Sequence, residues 1–287
     1  MAARFYFLMA FAEGTFRIWF KTNGCGLDYT IFQYLYFPII GKLFPLAALG
    51  FYTRASQLQD FPVKTLGSVF NRVAFPVFSA IQDDNERLKN AVRKTLRTMV
   101  FFNFPMLLGL VAVADPLIEV VLTEKWLPAS EYFKLLCLIG LFYSFQVING
   151  EILKTKGKLD WVLKLEIISK TVMIISIFIT WRWGITAIIL GQMFTTVISY
   201  LIGSHYVSKL IGYSIWQQIK DVSVYFAISV AMYIIVILIS GWMANSLLSL
   251  IVMTIAGAIF YITVAWVLKL EEIVEAGNIL TGNPKNR

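Results

Sequence analysis

Residues 54–82 read RASQLQDFPVKTLGSVFNRVAFPVFSAIQ and combine the length of a membrane helix with a polar side that Phe61, Phe75 and Phe78 interrupt. At about 100° per residue, the polar side chains fall within an arc of roughly 140°. They are Arg54, Gln57, Asp60, Lys64, Ser68, Asn71, Arg72, Ser79 and Gln82. Charge at membrane depth is costly unless it faces a wet cavity or a partner. This helix is therefore predicted to line a polar pathway, with a kink expected at Pro62.

The composition of the whole chain indicates an integral membrane protein. Of its 287 residues, 58% are hydrophobic and only 15% are charged, and the mean hydropathy is +0.72. A soluble domain carries far more charge. The apolar runs have the length of membrane helices, which predicts an all-α fold with about eight transmembrane helices. The predicted segments are 16–41, 46–81, 98–122, 131–152, 161–182, 184–206, 218–240 and 246–269, with a short amphipathic surface helix over 83–97.

The distribution of Lys and Arg predicts how these helices are oriented. The net charge is +8, but the cations lie in short connections between apolar runs, so no nucleic-acid partner is expected. The connections 82–97 and 153–160, the region of Lys209 and Lys220, and the C-terminal tail are basic. By the positive-inside rule, these parts and both termini are cytoplasmic. We expect a multi-pass protein of the cytoplasmic (inner) membrane, surrounded by membrane lipids.

The sequence contains no recognisable enzyme motif. A metalloprotease His pair, a phosphate-binding loop and a serine nucleophile elbow are all missing. Two cysteines and one histidine make no metal-binding set. We therefore expect no catalytic residue, no metal and no cofactor, and the missing phosphate loop argues against ATP hydrolysis by this chain.

Three stretches carry a resemblance to a known family. They are IIGKLFPLAALGFYTRASQLQDFPVKTLGSVFNRVAFPVFSAIQDD (39–84), ADPLIEVVLTEKWLPASEYFKLLCLIG (114–140) and NGEILKTKGKLDW (149–161). In this order and spacing they resemble the C-terminal half of polysaccharide exporters of the lipopolysaccharide and colanic-acid type. Those exporters are oligosaccharide flippases of the multidrug/oligosaccharidyl-lipid/polysaccharide superfamily. The resemblance covers roughly residues 20–270.

The resemblance implies a division of the chain into parts. The family fold has two six-helix lobes around a central cavity, often followed by two extra helices. Mapped onto this chain, it implies a six-helix lobe over 16–206, two additional helices over 207–269 and a cytoplasmic tail over 270–287. Residues 1–15 form an atypical N-terminal segment. The chain is thus expected to be the C-terminal lobe only, with a missing N-terminal lobe or a partner chain completing the transporter.

The resemblance also implies a substrate, a lipid-linked oligosaccharide pyrophosphate. Carrying a pyrophosphate through the bilayer requires fixed cations, because an uncompensated anion is costly in a low dielectric. Arg54, Lys64 and Arg72 are the candidate cavity cations, and Gln57, Asp60 and Asn71 are the polar residues beside them. Arg54 and Arg72 lie on one face about 27 Å apart, and Asp60 can pair with Lys64. Alternatively, the two arginines extend towards opposite membrane surfaces and Asp60–Lys64 is a static pair.

Polar residues in other segments are weaker candidates. Asn23, Asp28 and Gln33 either face the cavity or join helices. Gln146, Asn149 and Lys170 are expected to anchor helices at the membrane interface. Gln192, Thr195 and Thr196 are expected to form hydrogen bonds between helices.

Three other functions compete with export of lipid-linked glycans. A membrane-embedded ligase or polymerase of envelope glycans would place charged catalytic residues in a large extracytoplasmic loop, and the outward connections here are short. A drug exporter on the same fold would carry an acidic cavity, whereas this stripe is net basic. A non-transporting truncated remnant is the third alternative.

Overall fold

The computed structural model describes residues 36–241 and 246–274. Within these ranges the chain forms ten α-helices of eight or more residues and no β-strand. They are α1 (Tyr36–Leu43), α2 (Leu46–Ala80), α3 (Asn85–Ala112), α4 (Ala114–Leu122), α5 (Ala129–Gly140), α6 (Tyr143–Thr155), α7 (Leu159–Thr180), α8 (Ile185–Ile211), α9 (Ile215–Ser240) and α10 (Leu247–Val267). Two 3₁₀ turns, Glu124–Trp126 and Trp181–Trp183, complete the connections.

Local sequence signals set several of the helix ends. The Asp84 side chain accepts a hydrogen bond from the backbone N–H of Arg87 at the start of α3. Capping boxes built on Ser214 and Ser246 begin α9 and α10, which satisfies backbone donors that have no partner inside the helix. Gly212 ends α8 in the left-handed conformation, with φ of 68°, where glycine carries no Cβ penalty.

The all-helical membrane architecture predicted from composition is confirmed in outline. Among the described residues, five segments are long and apolar enough to cross a membrane: Asn85–Ala112, Ala129–Thr155, Ile185–Ile211, Ile215–Ser240 and Leu247–Val267. The long charged helices α2 and α7 closely match predicted apolar segments but are not among these five. The structure therefore supports a multi-pass helical protein, and the number of eight membrane helices stays a prediction.

The region 83–122 differs from its prediction. There is no separate surface helix over 83–97, because α3 runs without a break from Asn85 to Ala112. Its buried face continues through the charged stretch at helical spacing, with Leu88, Val92 and Leu96 buried. The helix instead breaks at Val113, and α4 follows as a separate short helix.

The predicted segment 131–152 is also divided. It forms two helices, α5 and α6, joined by a turn at 141–142. The backbone N–H of Phe142 bonds to the carbonyl of Ile139 at this turn, a tighter pattern than the α-helical one. The turn brings α6 against the middle of α2.

The helices pack around two apolar cores. In one, α3, α9 and α10 meet through residues such as Phe104, Tyr225 and Tyr261. In the other, α1 and α2 pack on α5, α7 and α8 through residues such as Ile40 and Phe133. Between α2 and the pair α7–α8, the second core opens into the polar cavity described below.

Some predictions fall on residues outside the described ranges. These are the N-terminal segment 1–15, most of the first predicted helix (16–41) with Asn23, Asp28 and Gln33, and the tail beyond 274.

Candidate functional site

A polar cavity of about 240 Å³ lies between α2, α6, α7 and α8. Three charged side chains line it: Asp60, Lys64 and Lys170. The neutral polar lining residues are Tyr36, Gln59, Tyr143, Gln146, Ser169, Gln192, Thr195 and Thr196. The cavity thus places charge and hydrogen-bonding groups inside a bundle of otherwise apolar helices.

Asp60 and Lys64 form an ion pair in the middle of α2. The Lys64 ammonium lies 2.7 Å from an Asp60 carboxylate oxygen, and the two side chains are 36% and 31% exposed. Lys64 is about 27 Å along the helix from Leu46. An i,i+4 pair contributes only about 0.5 kcal/mol, whereas one charged residue at mid-helix costs about 3 kcal/mol for membrane insertion. The pair alone does not offset that cost, which favours a water-accessible cavity around it.

Lys170 is a cavity residue that the sequence analysis placed at the membrane interface. It lies half-buried on α7, eleven residues after Leu159, which is about 17 Å along the helix axis. The distance of Lys170 from the start of the predicted helix could have indicated a cavity position, because an interfacial anchor lies within a turn or two of a helix end. Gln59 was missed as well, since it lies on the buried side of α2 next to the polar stripe.

The α8 wall of the cavity differs from its prediction. The hydroxyls of Thr195 and Thr196 donate to the carbonyls of Gly191 and Gln192 in their own helix rather than to another helix. Threonine reaches back to the preceding turn readily. Gln192 does have the expected bond between helices, accepting from Tyr52 at 3.5 Å. Asn149, expected at the interface, is buried and donates to Ser204 on α8 at 3.1 Å.

Two glycines allow the helices around the cavity to approach closely. A Cβ on Gly67 would overlap the ring of Tyr143, at 2.9 Å from its Cζ. A Cβ on Gly140 would lie 2.9 Å from the side-chain nitrogen of Gln59. Real Cβ atoms are not found this near to other side chains, so a larger residue at either position would displace a cavity-lining group.

The other four candidates on α2 lie outside the cavity lining. Arg54 is exposed; its guanidinium lies 5.8 Å from the ring of Trp126 and donates to Gln57 at 3.1 Å. Arg72 is exposed on the same side of the helix, away from the packed face. Asn71 is half-buried, and its Oδ1 has no hydrogen-bond partner within the described part of the chain. A buried acceptor without a partner costs about 1–3 kcal/mol.

A second charged cluster, at the end of the bundle near the start of α3 and α9, was not predicted. Asp221 is buried and accepts two hydrogen bonds from Arg93, both at 2.7 Å, and one from Arg97 at 2.8 Å. The hydroxyl of Tyr213 donates to the same carboxylate. The sequence does contain a signal for this cluster. An acidic residue lies near the start of an apolar helix, and two arginines lie four residues apart.

Comparison with known proteins supports the family resemblance. The family model described as polysaccharide biosynthesis protein matches residues 3–131, starting upstream of the residue-20 boundary drawn from the motifs. The lipopolysaccharide biosynthesis protein WzxC of Escherichia coli is 29% identical over 215 residues, covering 72% of this chain and 43% of that protein. The chain is a relative of the polysaccharide exporters.

Two further matches agree with this relationship. The teichuronic acid biosynthesis protein TuaB of Bacillus subtilis is 33% identical over 122 residues, which is 42% of this chain and 25% of TuaB. The solved structure of the lipid II flippase MurJ in an inward closed conformation shares the fold, with a TM-score of 0.67 and 17% identity. It covers 79% of this chain and 48% of MurJ. The chain spans between a quarter and about half the length of these three proteins.

Proposed function

We propose that this chain is the C-terminal lobe of an exporter that flips lipid-linked polysaccharide repeat units across the cytoplasmic membrane. The observation that carries the proposal is the mid-bundle cavity with Lys64, Lys170 and Asp60, in a fold that resembles half of a flippase. A pyrophosphate-linked glycan needs a cationic, hydrated site at the depth where it crosses the bilayer. The relatives named for polysaccharide biosynthesis support the substrate class.

The three charged groups suit a pyrophosphate in different ways. Lys64 and Lys170 supply compact ammonium charges with three donors each. Asp60 holds Lys64 while the cavity is empty and reduces the net charge of the three groups to one positive. An arriving pyrophosphate then competes with Asp60 for the Lys64 ammonium, so binding exchanges one ion pair for another. Gln192 and the threonines offer hydrogen bonds to sugar hydroxyls.

The exposed side of α2 completes the proposal. Arg54, which lies against Trp126, and Arg72 are both exposed, and they would face a second lobe across a shared cavity. Alternating access would then follow from rocking of one lobe against the other. The missing N-terminal lobe, or a partner chain, supplies the opposite wall.

The membrane arrangement is part of the same proposal. Eight spans follow when α2, α7 and the helix predicted over 16–41 cross the membrane together with the five apolar segments. Residues 16–206 form the lobe, 207–269 the two additional helices and 270–287 a tail. Both termini and the basic connections are cytoplasmic.

Complementation of an exporter-deficient strain tests the proposal. The gene is expressed from codon 1 and, separately, together with its upstream reading frame, and surface polysaccharide is measured. In whichever form restores export, the double variant Lys64→Gln/Lys170→Gln should lower surface polysaccharide by about tenfold or more, because charge-assisted bonds to phosphate are lost. Accumulation of lipid-linked repeat units inside the cell should accompany the loss.

A matched variant controls for charge and folding. Lys158→Gln/Lys164→Gln removes the same charge from exposed positions outside the cavity and should export normally. Normal export by the cavity variant at equal protein level would refute the assigned site. Restoration of export by neither form, with both correctly inserted, would refute the exporter function itself.

A further inference from the structure

A second pocket, of about 480 Å³, lies at one end of the bundle, far along the helices from the polar cavity. It is formed by the first turns of α9, the first half of α3 and the residues that follow α10. Its charged lining residues are Arg93, Arg97, Lys220, Asp221, Lys269 and Glu271. The proposed transport does not use this pocket.

The charges of the pocket leave a cationic surplus. Four cations and two carboxylates line it, a surplus of two. Asp221 is only 4% exposed and is bound by both arginines. Glu271 lies 3.6 Å from Arg97. Even when Glu272, which accepts from Tyr225, is counted, one positive charge remains.

The two lysines are the cations still available to a ligand. Lys220 and Lys269 are exposed, and neither has an ion-pair partner within residues 36–241 and 246–274. Arg93 and Arg97, which also line the pocket, are in contrast held by Asp221. The pocket therefore combines two fixed guanidinium groups with two mobile ammonium groups, a pattern that fits the several oxygens of a phosphate.

The backbone conformation at Lys269 also supports a ligand-binding role for this lysine. Lys269 has a φ of 51°, in the left-handed region where glycine is favoured. It ends α10 in a Schellman-type turn, with the N–H of Leu270 bonded to the carbonyl of Ala265, where glycine is the usual residue. A lysine is thus kept at a position where glycine would be less strained.

Apolar groups flank the pocket on the outer surface of α9. Val224 is 45% exposed and Trp216 is 80% exposed, one turn either side of Lys220. An exposed Trp at a helix start beside lysines is typical of the interface between membrane and water. The basic connections also lie at this end of the bundle, which the positive-inside rule assigns to the cytoplasmic leaflet with its anionic lipids.

We propose that this pocket binds the phosphodiester headgroup of an anionic phospholipid, with the acyl chains along the exposed apolar side of α9. Lys220 and Lys269 contact the phosphate from either side, and Arg93 and Arg97 form the back wall. The bound lipid joins α9 to the segment after α10.

Native mass spectrometry of the purified full chain in neutral detergent tests the proposal. The protein is titrated with dioctanoyl phosphatidylglycerol, dioctanoyl phosphatidylcholine or inorganic phosphate. We expect phosphatidylglycerol to bind about tenfold more tightly than phosphatidylcholine, because only the first carries net charge. Equal binding of the two lipids would overturn the proposal. Displacement of the lipid by equimolar inorganic phosphate would assign the pocket to free phosphate instead.

Two double variants locate the binding. Lys220→Gln/Lys269→Gly removes the pocket lysines, and glycine suits the backbone at 269, so folding should be retained. Lys158→Gln/Lys164→Gln removes the same charge from the same end of the molecule, outside the pocket. The first variant should lose the preference for phosphatidylglycerol and the second should keep it. Equal loss of this preference in both variants would show that overall charge attracts the lipid, and would refute binding in the pocket.

If the first variant does not yield folded protein, the single exposed change Lys220→Gln should weaken phosphatidylglycerol binding by about threefold or more. Unchanged binding would refute the assignment.

Discussion

The side chain of Asp221 connects several parts of the structure. Its carboxylate accepts from Arg93, Arg97 and Tyr213, so it joins α3, α9 and the connection between α8 and α9. Asp221 is almost fully buried, while the guanidinium groups remain partly exposed. Removing the acid would leave the two guanidinium groups facing each other, with the exposed Glu271 beside Arg97 as the remaining counterion within the described residues.

We predict that Asp221→Asn lowers the free energy of unfolding by about 2–4 kcal/mol, below the full cost of breaking a buried pair because the arginines keep some solvent. Thermal unfolding of the purified chain in detergent measures the effect. Asp160→Asn, at an exposed position in the first turn of α7, is the matched control and should change stability little. Equal stability of the two variants would contradict the role given to Asp221.

At the scale of the elements, α2 and α6 approach closely only because position 67 is glycine. We predict that Gly67→Ala destabilises the chain by about 1–3 kcal/mol, because the added methyl overlaps Tyr143. Gly150→Ala is the control: it lies within α6 with nothing near its Cβ position, and alanine there should stabilise the helix by up to about 1 kcal/mol. Unfolding midpoints that move in the same direction for both would argue against tight packing at Gly67.

The elements also show what the sequence could and could not predict. Long apolar runs predicted α2 and α7 to α10 within a few residues, because length and hydropathy are local properties. The break at Val113 and the turn at 141–142 were missed, although Pro116 lies in the first turn of α4 and Gly140 is the last residue of α5. Proline alone does not mark such a break, since Pro62, Pro76 and Pro105 lie inside unbroken helices. The continuity of α3 through its charged start was also missed: two of its cations, Arg93 and Arg97, pair with Asp221, which is distant in sequence.

The same limit applies to the cavity. Periodicity along α2 singled out Asp60 and Lys64, which line the cavity, and their role in substrate binding stays a prediction. Periodicity could not separate them from Arg54 and Arg72, since a helical wheel does not show which edge of a polar stripe neighbouring helices cover. Gln59 required knowledge of how α5 packs on α2, whereas the depth of Lys170 within its predicted helix was a signal in the sequence. Whether Gln57, Asn71 and the two arginines contact substrate stays a prediction.

For the whole molecule, the charge bias predicts which connections face the cytoplasm. Single cysteines placed by Asp83→Cys and Glu124→Cys, at exposed positions at opposite ends of α3 and α4, should differ in labelling. In a variant with Cys25→Ser and Cys137→Ala, a membrane-impermeant maleimide should label position 124 in intact spheroplasts. Position 83 should be labelled only after permeabilisation. The reverse pattern would refute the proposed orientation.

The Arg93–Arg97–Asp221 cluster also bears on the order in which the molecule is assembled. The ribosome makes α3 before α9, so both guanidinium groups are in position when Asp221 is synthesised. When α9 enters the membrane, the carboxylate of Asp221 can then pair with Arg93 and Arg97, which are already at the membrane surface. Helices α9 and α10, the last of the described helices to be made, can then dock against α3 with Asp221 already paired.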